Sequence, residues 1–256
     1  TVNGVLATAE RGPNQDNCSA SDVDGTNDYL DKTSSFGGSA SKAHTLNVIF
    51  SKSSSGGVNI FTSRRTGPSY ALRFYQTANG FTLRGYNSSG TMILLANTNV
   101  AGVYAVDKTI SIQISFDLSD SSKRKVYMNG AEYTGMVWTT YTDDFIADDV
   151  DSEVLSAGAS GNSPFGGLIG ELWYNQNYTD LATDNPFWDS DANRPNSVRK
   201  VIADTSVTPL IALPIMGNDA GNNLGSGGDF TVNSGPYVGA RGGSEYWARS
   251  AKMPTS

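Results

Sequence analysis

Apolar and polar residues alternate with a two-residue period along much of the chain. That is the spacing of strands with one face in a core and the other toward polar surroundings. In Tyr70-Ala71-Leu72-Arg73-Phe74-Tyr75 one face carries Tyr70, Leu72 and Phe74, and the other Ala71, Arg73 and Tyr75. Asn79-Gly80 supplies a hairpin turn signal, and the returning run sets Phe81 and Leu83 against Thr82, Arg84 and Tyr86. A second pair follows: Ile110, Ile112, Ile114 and Phe116 face one way, and Ser111, Gln113 and Ser115 the other. After a loop from Asp117 to Ser122, the run Lys125-Val126-Tyr127-Met128 closes on Asn129-Gly130. Apolar-in, polar-out strands of this kind belong to antiparallel sheets with one packed face, and two such sheets stacked about 10 Å apart make a sandwich.

Further strands are expected near 46–50, 58–62, 92–96, 154–159, 167–174, 209–214 and 230–232. The stretch from Asp180 to Asp204 breaks the rhythm. Asp184-Asn185-Pro186-Phe187-Trp188 reads as a helix start with proline in the first turn, so one or two short helices are expected there, covering an edge or an end of the sandwich. Phe187 and Trp188 would anchor them, while Trp173 and Tyr174 belong to the core. The Gly- and Asn-rich stretch 217–229 reads as a long loop. The fold class is therefore all-β, an antiparallel two-sheet sandwich.

Composition narrows the functional classes. A formal net charge of −7 argues against a nucleic-acid binder, which would carry a basic patch or stripe. A single cysteine, Cys18, allows no disulfide within the chain, and with a single histidine, His44, it excludes a zinc site of the usual His/Cys type. His44 has no Ser or Asp pattern beside it that would suggest a hydrolytic triad. No apolar stretch approaches a membrane span, and the first residues lack the basic region of an intact signal peptide.

Four segments in order carry a resemblance: Val23–Leu30, Lys125–Glu132 with its Asn129-Gly130, Leu155–Ala159, and Phe165–Tyr174 with Gly167-Leu168-Ile169-Gly170-Glu171. Together they resemble the laminin-G-like, concanavalin A-like lectin-glucanase jelly roll, over residues 20–235. Residues 1–19 and 236–256 are then expected to be arms that dock onto a partner. The segment Asn223-Leu224-Gly225-Ser226-Gly227-Gly228-Asp229-Phe230-Thr231-Val232 is similar to segments of tailed-bacteriophage structural proteins with this fold. The resemblance implies a non-enzymatic virion surface protein, a head decoration or fibre protein or a tail fibre component. It would bind host glycans or neighbouring virion proteins, and a homo-oligomer is compatible with it. The alternative it leaves open is a secreted jelly-roll glycoside hydrolase or its carbohydrate-binding module.

Two sets of residues could carry such chemistry. Sugar binding needs an aromatic platform and polar groups beside it. Arg73, Tyr75, Arg84 and Tyr86 offer both on adjacent strands, and Trp138 and Tyr141, in the loop after Asn129-Gly130, are a second aromatic pair. The same Arg–Tyr pairs could simply stabilise a half-exposed sheet, or form a protein contact. Catalysis would fall to Asp149, Asp151 and Glu153, whose alternate spacing resembles the carboxylate strand of jelly-roll glycosidases. The first of them is Asp rather than Glu, however, and Asp143, Asp144 and Asp148 precede it, so an acidic turn accounts for the stretch more simply. Asp149, Asp151 and Glu153 are also the calcium candidates, calcium being the one cofactor the resemblance allows. Asp22, Asp24 and Asp28 are a second acidic group, read as a turn before the Tyr29-Leu30 strand.

Overall fold

The alternating runs fold as strands. In chain order these are Ala20–Asp24 (β1), Tyr29–Lys32 (β2), Ala43–Lys52 (β3), Val58–Arg64 (β4), Tyr70–Thr77 (β5), Gly80–Tyr86 (β6), Met92–Thr98 (β7), Ile110–Asp117 (β8) and Arg124–Met128 (β9). They continue with Ala131–Glu132 (β10), Met136–Tyr141 (β11), Glu153–Leu155 (β12), Gly166–Asn175 (β13), Trp188–Asp189 (β14), Arg194–Pro195 (β15), Ile211–Leu213 (β16) and Thr231–Asn233 (β17). One helix, Val198–Thr205 (α1), lies among the described residues. The computed structural model describes residues 20–24, 29–52, 58–64, 70–77, 80–98, 109–147, 153–155, 166–214 and 221–233. The two expected arms lie outside this set.

Two antiparallel sheets carry the architecture. The first runs β1-β13-β3-β8-β9-β10, with β16 beside β13; the second runs β11-β7-β6-β5-β4-β12-β2-β17. Along one edge of β13, β1 pairs with Gly166–Gly170 and β16 with Leu172–Tyr174, so one long strand serves two short partners end to end. The inner faces meet in a single core. Leu46, Val48 and Phe50 of β3 and Ile112, Ile114 and Phe116 of β8 pack against Phe61, Leu72, Phe74, Phe81 and Leu83 of the second sheet. Full burial of each such side chain contributes roughly 1.5–3 kcal/mol. The jelly-roll sandwich expected from alternation and resemblance is the fold observed.

One polar face departs from the expectation. Thr45, Asn47, Ser111, Gln113 and Ser115 lie on the outer side of the first sheet, and each is 0% exposed. Residues 176–210 fold over them. The Thr179 amide donates to Ser115 Oγ at 2.9 Å and Thr45 Oγ1 donates to the Asn177 carbonyl at 2.7 Å. A second apolar cluster of Trp173, Leu181, Phe187, Val198, Val201 and Ala212 seals this cover onto the sheet. The cover therefore lies across a sheet face rather than at an edge or an end. Buried polar groups are tolerated where they find partners: Thr45 and Ser115 find them in the cover, and Gln113 Nε2 donates to Asn47 Oδ1 and Ser111 Oγ, while Asn47 Nδ2 and Gln113 Oε1 have none.

The helix also starts later than expected. At Asn185-Pro186-Phe187 the Asn185 side chain accepts the Phe187 amide at 3.2 Å, which makes an Asx turn out of what reads as a cap. The helix begins at Val198, where Ser197 accepts the Lys200 amide at 3.2 Å and the buried Glu171 carboxylate accepts the Val198 amide. Acceptors at this end satisfy amides that have no partner within the helix, and a carboxylate also complements its dipole. Glu171, on β13, thus ties the sheet to its cover. Asp22 and Asp24, read as part of a turn, lie instead on strand β1, in register with Leu168 and Gly166, while Asp28 lies outside the described residues.

Asn129-Gly130 forms the turn between β9 and β10, with φ of 50° and 80°. Trp188 lies against it, and a Cβ at Gly130 would fall 2.2 Å from its Nε1. Gly130→Ala should therefore cost about 2 kcal/mol, part from the left-handed backbone and part from displacing the indole. Urea unfolding monitored by tryptophan fluorescence checks this, and an unchanged midpoint would contradict it.

Candidate functional site

Register places the candidate residues of the second sheet in two rows on its outer face. Thr62 of β4 pairs with Arg73 of β5, Arg73 with Arg84 of β6, Arg84 with Leu95 of β7, and Leu95 with Thr140 of β11. The adjacent row is Asn59, Tyr75, Thr82, Asn97 and Val137. The alternate residues Phe74, Leu83 and Ala96 point the other way, into the core.

At the centre the Arg73 guanidinium carbon is 4.3 Å from the Tyr75 ring centroid, and that of Arg84 is 5.2 Å away. Arg73 also reaches the Tyr70 ring, at 4.9 Å. Its Nε donates to Asn59 Oδ1 at 2.6 Å, which fixes the guanidinium plane. Arg84 has no such anchor; its Nε is shut off from solvent without a hydrogen-bond partner. Thr62 Oγ1, fully buried in the same row, has none either. The ion pairs among the described residues join Lys42 to Asp143, Lys123 to Asp117, Lys125 to Glu132 and Lys200 to Asp204, and neither arginine takes part in one. The result is a half-buried cluster rich in donors, with two positive charges over one phenol ring.

The other candidates separate from it. Tyr86 follows a register shift after Gly85, which moves it out of the regular ladder. Trp138 and Tyr141 lie on β11, not in a loop, and pack toward the interior. Trp138 stands 6.5 Å from the Phe116 ring and 5.6 Å, edge to face, from Tyr141. The Tyr141 hydroxyl donates to the Asp117 carbonyl at 2.7 Å, and burial pushes this phenol's pKa up. The Arg124 guanidinium covers both rings, at 5.9 and 5.3 Å. This pair ties the edge of the second sheet to the loop after β8 and is not a free aromatic platform.

Asp149 and Asp151 lie outside the described residues, while the Glu153 backbone belongs to β12, between Ser63 and Lys32. Among the described residues no three His, Cys, Asp or Glu side chains gather as metal ligands would. His44 belongs to the core. Its Nε2 donates to the Ser41 carbonyl and its Nδ1 accepts from the Tyr174 hydroxyl, each at 3.0 Å, with the ring stacked on Phe116. The Ser41 carbonyl can only accept, which assigns the proton to Nε2.

Asn59 is missed by alternation alone. A bulge between Asn59 and Phe61 reverses the parity of β4, so a strict two-residue period puts Asn59 on the core side.

No family model matches the chain, and no curated protein matches it in sequence. Among solved structures, the native heptameric SAP-like pentraxin from Limulus polyphemus superposes with a TM-score of 0.52 at 12% identity, over 88% of this chain and 95% of that one. The LG4-5 domains of the mouse laminin alpha1 chain give 0.44 at 14% identity, over 64% of this chain and 42% of theirs. Domain 4 of an extracellular arabinanase from Geobacillus stearothermophilus, in complex with arabinotriose, gives 0.44 at 16%, over 65% and 74%. At these identities the likeness is one of fold, and function has to be argued from the site.

Proposed function

We propose that this chain is a lectin-like, non-enzymatic binding module whose outer second-sheet face engages glycans around Arg73, Tyr75 and Arg84. The observation that carries the reading is the Arg73–Tyr75–Arg84 cluster itself. It brings a ring and two donor forks to one half-buried patch, with an Arg84 donor still unpartnered. Sugar hydroxyls and ring oxygens accept from such donors while the C–H face of a pyranose rests on the phenol. In line with the resemblance of the 223–232 segment, the module would be displayed on a virion surface, where host glycans or neighbouring virion proteins meet this face.

The test is a glycan array with the purified chain, with and without calcium. Saturable binding is expected, weakened at least about tenfold by Tyr75→Ala and little changed by Tyr86→Ala, which lies beyond the bulge. Absence of binding in both conditions would overturn the glycan reading. Antibody labelling of intact particles tests the display, and unlabelled particles would end that part of the proposal.

A further inference from the structure

Arg73 and Arg84 are direct register partners on neighbouring strands, and both project from the outer face. Like charges placed directly opposite one another destabilise a sheet pair. Among the described residues no carboxylate offsets the repulsion; both guanidinium groups approach the Tyr75 ring, and Arg73 also donates to Asn59 and reaches Tyr70. Neither arginine has an ion pair among the described residues, although the chain holds 25 acidic residues against 18 basic ones. Carboxylates are plentiful in this sequence, and among the described residues none is placed to neutralise this pair.

The donor inventory points the same way. Guanidinium groups donate and never accept, so the centre of the site presents donors to a ligand. A neutral hydroxyl accepts from these donors but leaves the two positive charges uncompensated. An oxyanion is instead drawn between the two forks, and guanidinium geometry suits a planar or tetrahedral oxyanion held by paired N–H groups. Arg73 is oriented in advance by its bond to Asn59, and Arg84 keeps a buried, unpartnered Nε.

We propose that the site is selective for acidic glycans, holding the oxyanion of a charged sugar residue between Arg73 and Arg84. This rests on the glycan-binding reading and sharpens it to a substrate class. The bound anion relieves the Arg–Arg repulsion, so ligand binding and stability of the β5–β6 pair are coupled.

Calorimetric titration with polygalacturonate and with its fully methyl-esterified form separates charge from sugar, since the two share one backbone. Dextran sulfate against dextran separates sulfate from carboxylate as the source of the oxyanion. Expected is a preference for the charged member of at least one pair of about tenfold to a hundredfold, weakened by added salt and abolished by Arg84→Gln. Arg84→Lys, which keeps the charge and loses the fork, should fall between. The thermal midpoint of Arg84→Gln without ligand should equal or exceed that of the unsubstituted protein, because a like-charge pair is removed. Equal binding of charged and neutral members, unaffected by Arg84→Gln, would overturn the acidic selectivity and leave the glycan reading standing. Binding of no polymer here together with a blank glycan array would sink both.

Discussion

Asn223→Ala is expected to lower the unfolding free energy by about 4 kcal/mol. The Asn223 side chain is 8% exposed and uses both ends of its amide. Its Oδ1 accepts the Ala212 amide at 2.7 Å and the Gly225 amide at 3.0 Å, while Nδ2 donates to the Leu210 and Gly228 carbonyls at 3.0 and 3.1 Å. These bonds stitch the 221–230 loop to β16. The backbone adds more, with the Leu224 amide on the Ala212 carbonyl and the Gly227 amide on that of Leu210. Alanine leaves the two amides without acceptors and removes a donor from each of the two carbonyls. Asn223→Asp should cost about as much, because it lacks both donors and brings in a charge. Urea denaturation gives the free energy, and hydrogen exchange at Thr231–Asn233 reports whether β17 comes loose first. A loss under about 1 kcal/mol would show that water replaces the amide at little cost.

The second large effect is a loss of stability in mild acid caused by His44. Burial lowers its pKa from 6.5 to about 4, against the raising influence of the Ser41 carbonyl and the Asp117 charge. The folded-state pKa lies below the unfolded one, so between these values the unfolded chain takes up a proton that the native protein does not. Stability therefore rises with pH across that window and is lost as pH falls from 6.5 to 4. The shift corresponds to about 3 kcal/mol. Asp117, held below its ordinary range chiefly by the Ser119 hydroxyl, adds a loss in the same direction at lower pH, as it protonates. Unfolding free energies measured across the window in the unsubstituted protein and in His44→Gln separate the two, because only the histidine contribution vanishes in the variant. Parallel profiles would mean that His44 is not held neutral in the fold.

Strands whose inner and outer faces differ in polarity are legible from the chain. β5, β6 and β8 lie where alternation places them, and Asn129-Gly130 turns as its residue types require. What alternation does not reveal is which polar face meets water. Ser111, Gln113 and Ser115 read as solvent-facing because the cover that buries them comes from residues 176–210, far along the chain. Trp138 reads as a loop residue because β11 carries a register shift between Trp138 and Thr140, and its outer positions include the apolar Val137. At the candidate site, Arg73, Tyr75 and Arg84 are legible as one outward set. Asn59 is hidden by the bulge in β4, and the inward turn of Trp138 and Tyr141 depends on Phe116 and the 117–123 loop, which only the packing of the two sheets brings together. The glycines of the 223–230 segment have a reason visible only in three dimensions. A Cβ at Gly225 or Gly227 would lie 2.6 or 2.7 Å from the Leu210 carbonyl oxygen.

The last strand of the second sheet sets an order of events for a chain emerging from a ribosome. β17 pairs with β2, and Asn233 Nδ2 donates to Asp31 Oδ1 across a separation of 202 residues. Closing a loop of that size costs about 2 kcal/mol more entropy than closing one a tenth as long, so this contact is late on any route to the fold. Until the C-terminal segment has been synthesised, β2 is an unprotected sheet edge, able to pair with the same edge of another nascent molecule. The Asn223 clasp holds the segment that leads into β17 against β16, so the closing strand starts from a tethered end rather than a free one.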